Sequence, residues 1–346
     1  MQYSILLLAL AWLSSAVSLF IFWNGYDRIQ HDPLVIAHRG ASGYLPEHTL
    51  PAVTLAYAQG ADFIEQDVVL SKDSVPIVLH DFRLDTTTDV AQQFPSRQRE
   101  DGRYYAIDFT LGELKRLRVF ERQTVSGKQA FAYRYQGKAA FRIATLEEHL
   151  ELIQQLNRQF NRTVGWYVEI KAPAWHKAQG YDISVITLEI LRRYQLDAAD
   201  APLFVQCFDF AETQRLRQEL GVKAKLIQLI AENSWGESSS DYDYLRSPAG
   251  LQDIAKVANG IGPWIPQLLT RGENEQLLST GLAEAAHALS LQVHPYTFRS
   301  DDIMLNTTSA ILLDALFIDL KVAGLFTDYA DHVRAHINLY RSKNRL

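Results

Sequence analysis

The chain has 346 residues, 47% apolar and 21% charged, a balance that supports a packed core and excludes a disordered chain. A formal charge of −6 gives no sign of the strongly basic face that nucleic-acid binding needs. The one cysteine, Cys207, lies in the apolar run Leu203-Phe-Val-Gln-Cys-Phe208, so an intramolecular disulfide is excluded and a core position expected.

Residues 1–33 read as a membrane or export segment plus a linker. No charged side chain precedes Asp27, and Ile5–Trp23 is apolar apart from Ser14, Ser15 and Ser18. At about 1.5 Å per residue, that run nearly spans the roughly 30 Å of a bilayer core. Small residues at Ser14–Ala16 suit a cleaved signal peptide. The run continues past them to Trp23 with no Lys or Arg before it, which favours an uncleaved anchor over residues 5–23. Either way the expected location is periplasmic or otherwise extracytoplasmic.

From Leu34 onward, eight short apolar runs alternate with helical patterns. They are Leu34–His38, Asp62–Val68, Trp166–Lys171, Leu203–Phe208, Lys225–Ile230, Asn259–Gly262, Leu291–Pro295 and Gly324–Asp328. Their lack of polar alternation predicts strands buried on both faces. Thr49, the box Thr145-Leu-Glu-Glu148, and Asp209 with Glu212 are helix N-caps, and Ile183, Ile186 and Ile190 line one helix face. Repeated strand–helix units predict a (β/α)8 barrel, with a doubly wound open sheet as the alternative. The barrel is expected over 34–338, followed by a tail at 339–346. One stretch, about 81–144, breaks the alternation. It follows a hairpin arm at Val75–His80, is turn-rich, and carries a short helix opened by Thr110-Leu-Gly-Glu113. It reads as an insertion on a βα loop, either a substrate cap or a surface excursion.

In Phe63-Ile-Glu-Gln-Asp-Val68, Glu65 and Asp67 face the same side of a strand about 7 Å apart. Two buried carboxylates are costly, and a divalent cation removes the cost. Glu169, at the end of the next strand, is a candidate third oxygen ligand. A set of carboxylates without cysteine suits Mg²⁺ or Ca²⁺ over zinc. The alternative is an ion-pair network with Arg39 and Lys171. His38-Arg39-Gly40 closes the first strand and places an imidazole and a phosphate-matching fork where barrel active sites lie. Val78-Leu-His80-Asp81 repeats the pattern of an apolar run ending in histidine, the natural proton-transfer group near neutral pH.

His38-Arg-Gly40, Pro46-Glu-His-Thr49, Glu65-Gln-Asp67, Leu79-His-Asp81 and Glu169-Ile-Lys171 together closely resemble the glycerophosphodiester phosphodiesterase family. The resemblance runs from about Leu34 to about Tyr329. The segments Asp101–Thr110, Gly260-Ile-Gly-Pro263, Val293-His-Pro-Tyr-Thr297 and Gly324–Asp328 are similar to its bacterial periplasmic branch. The resemblance implies a TIM barrel with a subdomain inserted after the second strand. It implies one divalent cation on Glu65, Asp67 and Glu169, a general acid/base pair in His38 and His80, and phosphate contacts from Arg39 and Lys171. Glu47 would support the site and Tyr296 would line the substrate pocket. His48 stands where many relatives carry Asn, so its role is open. His176 is an extra candidate, with a surface histidine as the alternative. The implied reaction is hydrolysis of a small glycerophosphodiester to sn-glycerol 3-phosphate and an alcohol. His80 would serve as the acid, and either water or the glycerol 2-hydroxyl would attack. The alternatives are a lysophospholipid-cleaving enzyme, motivated by the membrane segment, and a non-catalytic phosphate-ligand module.

Overall fold

The computed structural model describes residues 32–343. The run at residues 5–23 lies outside them. Among the described residues no helix is long and apolar enough to cross a membrane.

All eight expected runs form strands: β1 Leu34–Ala37, β2 Phe63–Leu70, β3 Gly165–Ile170, β4 Leu203–Cys207, β5 Lys225–Ile230, β6 Gly260–Pro263, β7 Gln292–Val293 and β8 Gly324–Thr327. They pair in parallel in the order β7-β6-β5-β4-β3-β2-β1-β8. The two ends of this order also meet. Ala323 N donates to Val293 O at 3.0 Å, Phe326 N to Pro295 O at 3.0 Å, and Phe298 N to Phe326 O at 2.8 Å. The sheet therefore closes into a barrel, and the open-sheet alternative is set aside. Strand β7 is shorter than its run, although His294 N and Tyr296 N still donate to Ile261 O and Pro263 O across β6.

The helices start where their caps predict. Thr49 accepts from Ala52 N, Thr145 and Glu148 form a reciprocal box, and Asp209 accepts from Glu212 N. Each such cap contributes about 1 kcal/mol. The last helix, Ala330–Lys343, continues past the expected boundary at 338, with Ile337 buried against the barrel and Tyr340 Oη donating to Asp314.

Alternation along the strands sorts the side chains. Val35, Ile64, Val68, Val168, Val205 and Cys207 point outward into the main apolar cluster under the helices. Ile36, Tyr167, Phe204, Ile227 and Phe326 fill the barrel. Towards the C-terminal ends of the strands the inward positions turn polar. Asp67 lies beside Glu169, and Glu169 beside Gln206, in the strand register. Apolar packing therefore sits below and charge above, at the end where barrel active sites form.

The stretch that broke the alternation folds beside β2. Its arm, Pro76–Val78, pairs antiparallel with β2 and with Ala144–Thr145. Between them lie short helices at Val90–Gln93 and Leu111–Leu114, the second opened by the expected Thr110–Glu113 box. Leu84, Val90, Phe109, Leu117 and Val119 belong to a second apolar cluster, separate from the barrel's.

Candidate active site

The turn after β1 delivers the first groups. Arg39 and Gly40 both have left-handed backbone angles, φ 59° and 83°. A Cβ on Gly40 would stand 3.0 Å from the Ala52 carbonyl carbon, so only glycine lets this turn sit against the following helix. The turn aims Arg39 N at Glu65 Oε2, 2.9 Å away. It also places the Arg39 guanidinium 3.1 Å from Glu47 and 3.6 Å from Asp67.

Glu65, Asp67 and Glu169 are buried, with carboxylate oxygens within 4.8 Å of one another. Asp67 Oδ1 is buried without a hydrogen-bond partner. Burial, then the charges of Asp67 and Glu169, push the Glu65 carboxyl well above its ordinary range. Burial pushes Glu169 up to about 8, against the pull of Lys171. Asp67 is held well below its range despite burial, because His48 and Lys171 favour its charge. The ion pairs weighed as an alternative also form: Lys171 reaches Glu169 at 2.8 Å and Arg39 approaches Asp67. They leave Asp67 Oδ1 unpaired and Glu65 held by two neutral donors, Gln206 Nε2 and Arg39 N. A cluster of hard oxygen donors with a vacant lone pair fits Mg²⁺ or Ca²⁺.

Each expected histidine is held by an aspartate. His38 Nδ1 lies 2.6 Å from Asp328 Oδ1, and His80 Nδ1 lies 2.7 Å from Asp81 Oδ1. A carboxylate at Nδ1 keeps the proton there and leaves Nε2 as the basic atom. His38 Nε2 stands 3.9 Å from Glu65. The aspartates are themselves fixed. Asp328 accepts from Arg134 at 2.6 Å and Arg299 at 3.0 Å, and Asp81 accepts from Arg122 at 2.6 Å. Arg122 also grips Glu47 at 2.6 and 2.9 Å. Arg122 and Arg134 come from the segment between Pro76–Val78 and Ala144–Thr145, and Arg299 from the stretch between β7 and β8. Burial, then Arg39, lowers His38 to about 4 and His80 to about 3, so both rings are neutral near pH 7.

These groups share a cavity of about 230 Å³ at the C-terminal mouth of the barrel. His38, Arg39, Glu65, Asp67, His80, Glu169 and Tyr296 line it. Lys171 lines an adjoining cavity with His80 and Glu169, and Glu47 lines another with Arg39. His48 is buried, with Nε2 2.7 Å from Asp67 Oδ2, so it holds a carboxylate from behind. His176 is neither in the site nor on the surface. It is fully buried, accepts from Leu70 N, and packs its ring against Trp175. Sequence reasoning quoted Asp81 and Asp328 inside motifs without giving them a role. It missed Arg122, Arg134 and Arg299, whose lone positions in turn-rich stretches carry no signal.

Near the same network, Glu121 is buried with Oε2 unpartnered, and burial pushes its carboxyl up to about 8. Its folded value is raised above the ordinary 4.5, so its contribution is fully present below about pH 4.5 and lost as pH rises through about 8. Glu121→Gln is expected to flatten the fall in stability between pH 5.5 and 8.5, by up to a few kcal/mol. Urea midpoints at the two pH values measure this, and an unchanged slope would refute it.

A family model described as the glycerophosphoryl diester phosphodiesterase family matches residues 38–332. The chain is 40% identical over 325 residues to a glycerophosphodiester phosphodiesterase of Haemophilus influenzae, covering 88% of this chain and 89% of that one. It is 37% identical over 324 residues to one of Treponema pallidum, covering 86% and 90%. In fold it is similar to an Oleispira antarctica phosphodiesterase solved with the product sn-glycerol-3-phosphate. That match has a TM-score of 0.61 and 21% identity, and covers 88% of this chain and 97% of that one. It is also similar to a glycerophosphodiester phosphodiesterase from Agrobacterium tumefaciens, with a TM-score of 0.58 and 20% identity, covering 88% and 100%. The extent of the family match and the identity across most of both relatives place the chain in the glycerophosphoryl diester phosphodiesterase family of enzymes.

Proposed function

We propose that the chain hydrolyses small glycerophosphodiesters to sn-glycerol 3-phosphate and an alcohol, using one divalent cation and two histidines. The observation that carries this reading is the meeting of two aspartate-held histidines with a buried three-carboxylate cluster in one cavity. The product bound to the Oleispira antarctica relative supports the same chemistry.

Glu65, Asp67 and Glu169 would hold the cation, Ca²⁺ or Mg²⁺. When bound, it supplies positive charge to offset the charge that builds on the phosphoryl oxygens. Arg39 and Lys171 bind and orient the phosphate, Arg39 through its planar fork. His38 Nε2 takes the proton from the attacking hydroxyl, of water or of the glycerol 2-position. His80 enters the step as the imidazolium, which Asp81 and the anionic diester favour, and gives its Nε2 proton to the departing alkoxide. Asp328 holds His38 in the tautomer with a free Nε2, and Asp81 at Nδ1 stabilises the His80 imidazolium. Glu47 orients Arg39 and Arg122, and Tyr296 lines the pocket.

Residues 81–144 form, in this proposal, an inserted subdomain that braces the site: it has its own apolar cluster and sends Arg122 and Arg134 to the aspartates. Residues 5–23 would anchor the enzyme to a membrane on its extracytoplasmic side. Cell fractionation with and without those residues tests that placement, and an unchanged soluble distribution would refute it.

Purified enzyme should release sn-glycerol 3-phosphate from glycerophosphocholine, and faster than it cleaves lysophosphatidylcholine. Faster turnover of the lysolipid would overturn the substrate class. Ligand binding without turnover would mark a binding module instead.

Arg134 also pairs with Asp301 and donates to Ser42 O, but it reaches the reacting groups through Asp328, so Arg134→Ala is expected to lower kcat about tenfold to a hundredfold with KM nearly unchanged. Free guanidinium should restore part of the rate. A variant with normal kcat, or one without rescue and with a collapsed melting temperature, would show that Arg134 is merely structural.

A further inference from the structure

The mouth of the barrel divides by strand. The charged groups come from β8, β1, β2 with its hairpin arm, and β3: Asp328, His38, Arg39, Glu65, Asp67, His80 and Glu169. The ends of β4 to β7 each supply an aromatic ring instead. Phe208 follows β4, Trp235 lies in the loop after β5, Trp264 follows β6 and Tyr296 follows β7, and all four line the same cavity. Trp235 and Trp264 lie 5.2 Å apart at 69°, and Phe208 and Tyr296 lie 6.0 Å apart at 88°. Rings at steep angles present π-faces from more than one direction. The Tyr296 hydroxyl is committed to Ile230 O at 2.8 Å, which fixes that ring and removes a hydrogen-bonding handle.

One carboxylate in this half has no part in the chemistry above. Glu237, in the Trp235 loop, lines both the main cavity and the adjoining one. Glu47, Asp81, Glu169 and Asp328 each ion-pair with an arginine, lysine or histidine. Glu237 makes no hydrogen bond or ion pair to a described residue. Its charge is felt by Lys171, which is already paired with Glu169, and by Tyr296 and Tyr242. Arg299 also lines the cavity but is held by Asp328. An aromatic wall with one uncompensated carboxylate suits a compact cation: π-faces and negative charge both attract it. A neutral polyol would find few free hydrogen-bonding groups there beyond Gln206 Oε1 and Thr297, and an anion would meet Glu237.

We propose that this aromatic half is the subsite for the leaving alcohol and that it selects a cationic one, a quaternary ammonium above a primary ammonium. The proposal rests on the phosphodiesterase reading. Glu237 supplies the charge, and Trp235 and Trp264 supply faces.

The test compares kcat/KM for glycerophosphocholine, glycerophosphoethanolamine and glycerophosphoglycerol, which share the phosphodiester and differ in the alcohol. The expected order is choline, ethanolamine, glycerol, with about tenfold between first and last. Glu237→Gln and, separately, Trp235→Ala should bring the choline-to-glycerol ratio close to one, and Glu237→Lys should invert it. Equal handling of the three by the wild type would overturn the proposal. So would variants that lower all three values by the same factor, because the loop would then be only structural. If the wild type cleaved no diester, the phosphodiesterase reading would fail separately. Tetramethylammonium binding, followed by tryptophan fluorescence, would still decide the subsite: saturable quenching lost in Glu237→Gln supports it, and no quenching overturns it.

Discussion

Alanine at position 80 is expected to lower kcat about 10²–10⁴-fold, the usual worth of a positioned proton-transfer group. His80 sits beyond the short arm Pro76–Val78, and Leu79 N donates to Asp67 O at 2.9 Å, which pins the arm beside the carboxylates. Its side chain is 26% exposed, so truncation leaves no buried void and the melting temperature should hold. His38→Ala should cost as much, and the double variant little more than either alone, because the two groups act in one proton relay. The leaving group separates their roles. A diester of glycerol phosphate with p-nitrophenol needs little protonation as it departs. If His80 is the acid, His80→Ala should recover most of its rate on that substrate, while His38→Ala should not. Recovery in His38→Ala instead would exchange the two assignments. A near-normal rate in His80→Ala on glycerophosphocholine would remove it from the chemistry.

The barrel was legible because its strands are buried on both faces. Continuous runs such as Leu203–Cys207 and Lys225–Ile230 need no partner to be recognised. The caps were legible because a side chain three residues from its backbone partner is a local matter, as at Thr145 and Glu148. The acid cluster was half legible. Alternation put Glu65 and Asp67 on one side of β2, but the approach of Glu169 depended on which strand neighbours which.

What was missed is non-local. Asp328 holds His38 across 290 residues, and Arg134 reaches Asp328 across 194. No spacing rule links such positions. The aromatic half was hidden for the same reason: Trp235 and Trp264 sit in loops, and only the pairing of β5 with β6 brings them together. His176 misled because a histidine beside a strand end looks available, whereas here its ring fills a helix–strand junction and accepts from Leu70 N.

The cation should matter at least as much as either histidine. Chelation is expected to remove turnover by about 10³-fold or more, since the charge it supplies is worth several kcal/mol at the transition state. Ca²⁺ or Mg²⁺ added back should restore it. A rate indifferent to chelator would sink the claim that the three carboxylates hold a working metal. Stability gives a second readout, independent of catalysis. In the cation-free chain Glu65 and Glu169 have folded values raised above 4.5, Glu169 to about 8. The Glu169 contribution to stability is therefore present below about pH 4.5 and lost as pH rises through about 8, and the raised Glu65 acts in the same direction. A bound cation offsets that loss and must compete with protons for the same oxygens. Saturating cation at a hundred times its dissociation constant adds about 2.7 kcal/mol. The rise in melting temperature should then be larger at pH 8.5 than at pH 5.5 for a fixed concentration. Asp67→Asn should abolish the rise at both, because it removes the one ligand whose oxygen is buried and unpaired. If Asp67→Asn kept the full cation-dependent rise, the ion would be bound elsewhere, and the buried acids would owe their charge to Lys171, His48 and Arg39 alone.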